Sequence, residues 1–213
     1  MYKDAYAHLY QKLEGFKVKI YSTNKKMLEG YLSLTPSTRS TYDIAMRDAT
    51  IDGLMTMDEI EKLKPSQIFY KENNPEELFI LQSVNEFEFQ QKTRNINAIK
   101  QNSFVTIQRK QYDEELDDEV YKDVYTDLVS FVTMLNKDER NFAAGVEDNT
   151  NVNIQIPKRD INDKIYIINN QDRIILRNKK GDLEKKIKIE SIDDFGVPGV
   201  IRIYGTYDTR TGD

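Results

Sequence analysis

The sequence predicts a mainly β protein with accessory helices, an α+β chain of small β-barrel or sandwich modules behind an N-terminal helix. Three observations carry that prediction. Short runs of alternating apolar and polar residues recur along the chain, separated by Asn, Gly and Pro turns. Only 38% of the 213 residues are hydrophobic, 31% are charged and mean hydropathy is −0.68, which suits two thin-cored modules better than one thick domain. The 13 Tyr and 9 Phe, with no Trp, fit half-buried strands and subunit contacts.

Taken in order, Tyr2, Tyr6, Leu9, Leu13 and Phe16 form one stripe at helical spacing, so residues 1–16 read as an amphipathic helix stopped near Gly15. A first β-rich module over 17–102 begins with alternation across 17–22 and 28–34. Pro36 to Ser40 breaks it, Tyr42 to Met46 reads as a short helix, and Asp52-Gly53 reads as a turn. Strand patterns follow at 67–70, 78–84, 87–90 and 96–100, with Asn73-Asn74-Pro75 as a turn. A second β-barrel module over 103–213 starts with the strand Phe104 to Arg109. A long acidic loop or hairpin tip, 112–119, comes next. The run Val120 to Leu135 matches helical spacing yet is rich in β-branched residues, so it reads either as a helix or as a strand followed by a short helix. The remaining strand patterns are 151–156, 164–168, 173–177, 186–192 and 199–207. A weak repeat of cadence links Ile68-Phe69-Tyr70 and Leu78 to Leu81 with Ile165-Tyr166-Ile167 and Ile174-Ile175-Leu176.

Composition removes many chemistries. Without cysteine there is no disulfide framework, thiolate nucleophile or zinc ribbon, and a single histidine excludes a multi-histidine metal site. His8 lies beside the first helical stripe and reads as a surface or interface residue. No run approaches the roughly 18–20 apolar residues that span a bilayer, and MYKDAYAHLY lacks the basic and apolar regions of a signal peptide. The expectation is a soluble, unprocessed chain without membrane contact. A net charge of −5 has the wrong sign for a module held on nucleic acid by phosphate neutralisation.

Three local patterns carry candidate chemistry. Asp113, Glu114, Glu115, Asp117, Asp118 and Glu119 place six carboxylates in seven residues. They lack the alternating spacing and central glycine of a calcium loop, so they read as a solvated segment facing water, a basic neighbour or a channel. Asp172, Glu184 and Lys186 have the outline of a magnesium nuclease, a spacing that also arises readily in a charged chain. Arg94, Lys100, Arg109 and Lys110, interleaved with Phe104 and Tyr112, read as ordinary exposed charge before they read as a nucleic-acid stripe. No phosphate loop or hydrolase motif occurs. The expectation is a protein that is not an enzyme and takes no cofactor or metal.

Phe104-Val105-Thr106-Ile107-Gln108-Arg109-Lys110, its acidic loop and the Val120 region resemble the opening of tailed-bacteriophage head-tail connectors, the adaptor, stopper, head-closure or neck proteins. Ile154-Gln155-Ile156-Pro157, Asp163-Lys164-Ile165, Asp172-Arg173-Ile174 and Lys188 to Asp194 resemble strands of the same family, so the resemblance covers roughly the second half. The chain is longer than the simplest members. The resemblance implies a virion protein assembled in the host cytoplasm as a homo-oligomeric ring, usually of six or twelve copies. That ring would sit beneath the portal or an adaptor, close the DNA exit channel, touch genomic DNA in passing and offer the tail its attachment surface. Partner contacts are then expected at Tyr2, Tyr6, Leu9 and Leu13 and at the acidic run. The alternatives are a tail-terminator or baseplate-type structural protein, or a non-viral oligomeric module that binds a protein ligand.

Overall fold

The structure is a computed structural model that describes residues 15–22, 26–35, 49–86, 92–135, 150–177 and 184–208. Two compact units divide the chain. The first is Met1–Gln101 with Pro157–Tyr166 and Phe195–Val200; the second is Asn102–Ile156 with Ile167–Asp194 and Ile201–Asp213. Each unit holds one closed six-stranded barrel.

The first barrel comprises β1 (Phe16–Tyr21), β2 (Met27–Thr35), β3 (Thr50–Thr56), β4 (Ile68–Lys71), β5 (Asn74–Glu86) and β6 (Thr93–Lys100). Its order is β1-β2-β3-β6-β5-β4, closed by the antiparallel pairing of β1 with β4. Period-2 alternation sends Val18, Ile20, Leu28, Leu32, Met55, Phe69, Phe79 and Leu81 inward, where all are buried. The rings of Phe69 and Phe79 stack at 5.1 Å across the β4–β5 pair.

The second barrel comprises β7 (Ser103–Asp113), β8 (Asp118–Met134), β9 (Val152–Pro157), β10 (Arg173–Arg177), β11 (Glu184–Asp193) and β12 (Val200–Tyr207). Read around the barrel its order is β7-β8-β9-β12-β11-β10. Val105, Ile107, Ile154, Ile156, Ile174, Ile187 and Ile203 fill its interior. This is the order of the first barrel with every strand number raised by six. Both are two three-stranded meanders in Greek-key arrangement, and closure leaves neither with an open sheet edge. The equivalence pairs β4 with β10 and β5 with β11, whereas the sequence cadence pairs β4 with the Ile165–Ile167 run.

Four expectations are corrected. Asp52-Gly53 is no turn: both residues lie inside β3, paired with Thr35 and Leu34 of β2. A Cβ on Gly53 would stand 2.7 Å from the Ser33 carbonyl oxygen and from Leu32 Cδ1, so glycine is there for close approach of β2. Val120 to Met134 forms no helix but belongs to the single 17-residue strand β8, because its β-branched side chains are paired on β7 and β9. Residues 164–168 are not a strand; they make one isolated bridge, Arg159 with Ile165, and leave Ile165 and Ile167 exposed. The acidic segment 112–119 is a hairpin tip and not a long loop: half of it is strand, with 114–117 forming the turn. The helices expected at 1–16 and 42–46 and the strand at 87–90 lie outside the described residues, except that Phe16, read as the end of the first helical stripe, instead opens β1 and pairs with Leu32.

Candidate functional site

The feature that distinguishes the two barrels is the first hairpin of the second. In the first barrel that hairpin joins strands of 6 and 9 residues; in the second it joins strands of 11 and 17. Strand β10 pairs with β7 only from Phe104 to Gln108, and β9 pairs with β8 only from Phe131 to Met134. Beyond those limits β7 and β8 pair, among the described residues, only with each other. Their last five pairs, Arg109↔Lys122 to Asp113↔Asp118, form a two-stranded ribbon extending roughly 17 Å past the barrel wall at about 3.4 Å per residue.

An isolated hairpin is marginal in water. Here the root is clamped on both faces by two consecutive charged residues at the start of β10. On one face the Asp172 carboxylate, fully buried, accepts from Arg109 Nε at 2.7 Å and Nη2 at 2.8 Å, and from the Asn169 backbone N–H at 2.9 Å. Arg109 Nη2 also donates to the Ile167 carbonyl, and the Ile167 N–H donates to the Tyr125 hydroxyl. Pairing with Asp172 holds the Arg109 guanidinium above its ordinary pKa. On the other face Arg173 donates to Gln108 Oε1 at 3.0 and 3.2 Å and lies 3.8 Å above the Tyr121 ring. Two register shifts in the β7–β8 pairing add local twist at this root.

Alternation places Lys110, Tyr112, Glu119 and Tyr121 on one ribbon face and Gln111, Asp113, Asp118, Val120 and Lys122 on the other. Diagonal ion pairs hold each face: Lys110 with Glu119 at 3.5 Å and Lys122 with Asp113 at 3.0 Å. The hydrogen bond from Lys122, aided by the Glu115 backbone N–H, keeps the Asp113 carboxyl below the usual aspartate range. Tyr112 donates its hydroxyl to Asp117, and that bond pushes the phenol pKa up. Two lysines therefore face six carboxylates, so the tip stays strongly negative. At its apex Leu116 is 66% exposed among those carboxylates, with Tyr112 also exposed below it. An apolar residue ringed by charge on a clamped projection is the arrangement of an anchor with a polar rim.

The acidic residues picked out by sequence are thus brought together at the tip. Tyr2, Tyr6, Leu9 and Leu13, with His8, lie outside the described residues. The nuclease outline does not assemble. Asp172 precedes the Arg173↔Lys188 rung while Glu184 sits on the Arg177↔Glu184 rung, about 16 Å away along the hairpin at ~3.3 Å per residue. Asp172 is also taken up by Arg109. No group of three or more His, Cys, Asp or Glu suited to a metal occurs among the described residues. The basic stripe is divided too: Arg94 and Lys100 belong to β6, Arg109 and Lys110 to β7, and Lys100 pairs with Glu77. Sequence reasoning missed Arg173, Gln108 and Tyr121, whose roles come from register alone.

No protein-family model matches the chain, and no curated protein matches it. Among solved structures it is similar to the K. pneumonia MrkH complex with c-di-GMP, at 7% identity over 98% of this chain and 86% of that one, with a TM-score of 0.18. It is similar at the same identity to MrkH in its apo state, over 98% and 84% of the two chains, with a TM-score of 0.19. Scores this low assign neither fold nor function, which rest on the chain's own barrels and ribbon.

Proposed function

We propose that the chain is a structural subunit of a tailed-bacteriophage neck, a head-tail connector that forms a ring beneath the portal, closes the DNA exit channel and presents the tail its attachment surface. The observation that carries this reading is the clamped acidic ribbon, built onto one of two barrels of identical strand order. A ring subunit needs a rigid element reaching past its own barrel to the next copy or layer. Closed barrels support the reading because the barrel walls offer no open sheet edge, leaving assembly to projections such as the ribbon. The resemblance of the second half to connector proteins points the same way, and net negative charge suits a wall along which DNA slides. In this role the tip carboxylates meet a basic surface of a neighbouring subunit while Leu116 enters an apolar recess there.

Virus heads assembled without this chain should lose DNA and fail to join tails, and adding the purified chain should restore joining. Changing Asp113, Glu114, Glu115, Asp117, Asp118 and Glu119 to their amides should leave the melting temperature almost unchanged, since exposed charge contributes little to folding. Assembly should weaken, and added salt should weaken the wild type towards the variant by screening. Equal assembly of both proteins across a salt series would remove the contact role of the ribbon.

A further inference from the structure

The barrels close their own edges, but the ribbon that projects from the second does not. Among the described residues no third strand pairs with 109–113 or 118–123, and no backbone hydrogen bond outside the β7–β8 ladder reaches them. Each ribbon therefore carries two different open edges, one on β7 and one on β8, that run antiparallel to each other. The N–H and C=O groups along such edges are a template for a further strand, and a two-stranded sheet is marginal until it gains a third. The clamps at Asp172 and Arg173 hold only its root.

The charges of the lone ribbon are also poorly matched across its rungs. Arg109 stands opposite Lys122 at the root and Asp113 opposite Asp118 at the tip, and like charges directly opposite destabilise a strand pair. The diagonal ion pairs offset this without removing it. The two edges differ in sign. Residues 109–113, with Arg109, Lys110 and Asp113, are net positive, whereas 118–123, with Asp118, Glu119, Lys122 and Asp123, are net negative. Both stretches are regular, because the register shifts lie nearer the barrel.

We infer that the β8 edge of one copy pairs antiparallel with the β7 edge of the next, joining the ribbons of neighbouring copies into one continuous sheet. The occupant is a second copy because the two edges of one ribbon suit each other: antiparallel when ribbons project side by side, similar in length and opposite in net charge. Joining like edges would set same-sign strands together and stop at a dimer. Ribbons in line would repeat the like-charge rungs. A stagger of two residues towards the root instead sets Tyr112 opposite Tyr121, Gln111 opposite Lys122 and Asp113 opposite Val120, with no like-charge rung. Lys110 then lies between Glu119 of its own ribbon and Asp123 of the next. The opposite stagger would lose the outer rungs to the turn. A constant stagger is what closing a sheet into a barrel requires, and the heterologous contact leaves no edge over when the ring closes. This inference rests on the ring-forming reading above and names its lateral contact.

The chain has no cysteine, so single substitutions make an unambiguous cross-linking test. Gln111 and Lys122 are both exposed, so cysteine at either should leave the fold intact, which circular dichroism checks. A Gln111→Cys chain and a Lys122→Cys chain, mixed, assembled on portal and oxidised, should give the 111–122 heterodimer as the main cross-linked species. Opposed residues on paired strands stand roughly 4.5–5.5 Å apart at Cβ, close enough for the bond to form. Hydrogen exchange of the wild type should slow roughly tenfold or more at 109–113 and 118–123 on assembly. Rings that give no such heterodimer, or that leave both edges unprotected, would overturn this contact and leave the ring standing. A chain that forms neither rings nor cross-links would overturn the contact and the ring together.

Discussion

Replacing Gly199 with alanine should unfold the first unit or lower its melting temperature by roughly 10 °C or more, the largest single-residue effect expected in the chain. A Cβ at this position would stand 2.1 Å from the Leu81 carbonyl oxygen, 2.7 Å from that of Gln82 and 2.8 Å from the Ser66 nitrogen. All three are backbone atoms, so no side chain can rotate away to make room. The same atoms form hydrogen bonds, Gly199 to Gln82 and Ser66 to Leu81, both at 2.8 Å. Overpacking ordinarily costs about 1–3 kcal/mol, and the loss of these bonds adds to it, giving roughly 3–5 kcal/mol in all. Thermal unfolding followed by circular dichroism measures it. A melting temperature within about 2 °C of wild type, a shift of at most ~1 kcal/mol, would contradict this close packing around Gly199.

Arg109→Leu is expected to have the second largest effect, and to link stability to assembly. Its partner Asp172 has a side chain with no exposure, so removing the guanidinium strands a carboxylate away from water. Breaking a buried pair by deleting one member costs about 3–5 kcal/mol, and the lower end applies because Arg109 itself is about a third exposed. Replacing both residues, Arg109→Leu with Asp172→Leu, should recover most of that loss, since the stranded charge is then gone. The double variant still lacks the clamp on one ribbon face, so it should fold yet assemble less well than wild type. Chemical denaturation separates these outcomes from assembly assays. A double variant no more stable than Arg109→Leu alone would contradict the stranded-charge account. Asp172, its carboxylate taken up by Arg109, is the anchor of the ribbon root.

Period-2 alternation makes β1, β2, β9, β10 and β12 readable from sequence, because each buries one face while its other face stays polar or covered. β4, β5, β6, β7 and β11 are legible over part or most of their length, whereas β3 and β8 follow rules that local periodicity does not encode. β3 hides behind Asp52-Gly53, where a turn-like pair serves close strand approach. β8 mimics a helix because a ribbon strand with both faces half exposed has no strong alternation. Residues 164–168 alternate well yet form coil, with Ile165 and Ile167 outward. At the ribbon the carboxylates announce themselves by density, but Lys110, Lys122 and Arg173 become partners only through register set by barrel closure. Phe195, which is 90% exposed, gives no signal at all: one phenylalanine in a polar stretch looks the same whether it ends in a core or in water.

The central claim is that copies of this chain build a closed ring on the portal. Electron microscopy of the purified chain mixed with isolated portal of the same virus tests it most directly. The account predicts a cyclically symmetric ring on the DNA-exit face of the portal, with the β7–β8 ribbon of each subunit reaching a neighbouring subunit. Particles showing bare portal beside unassembled chain would contradict it.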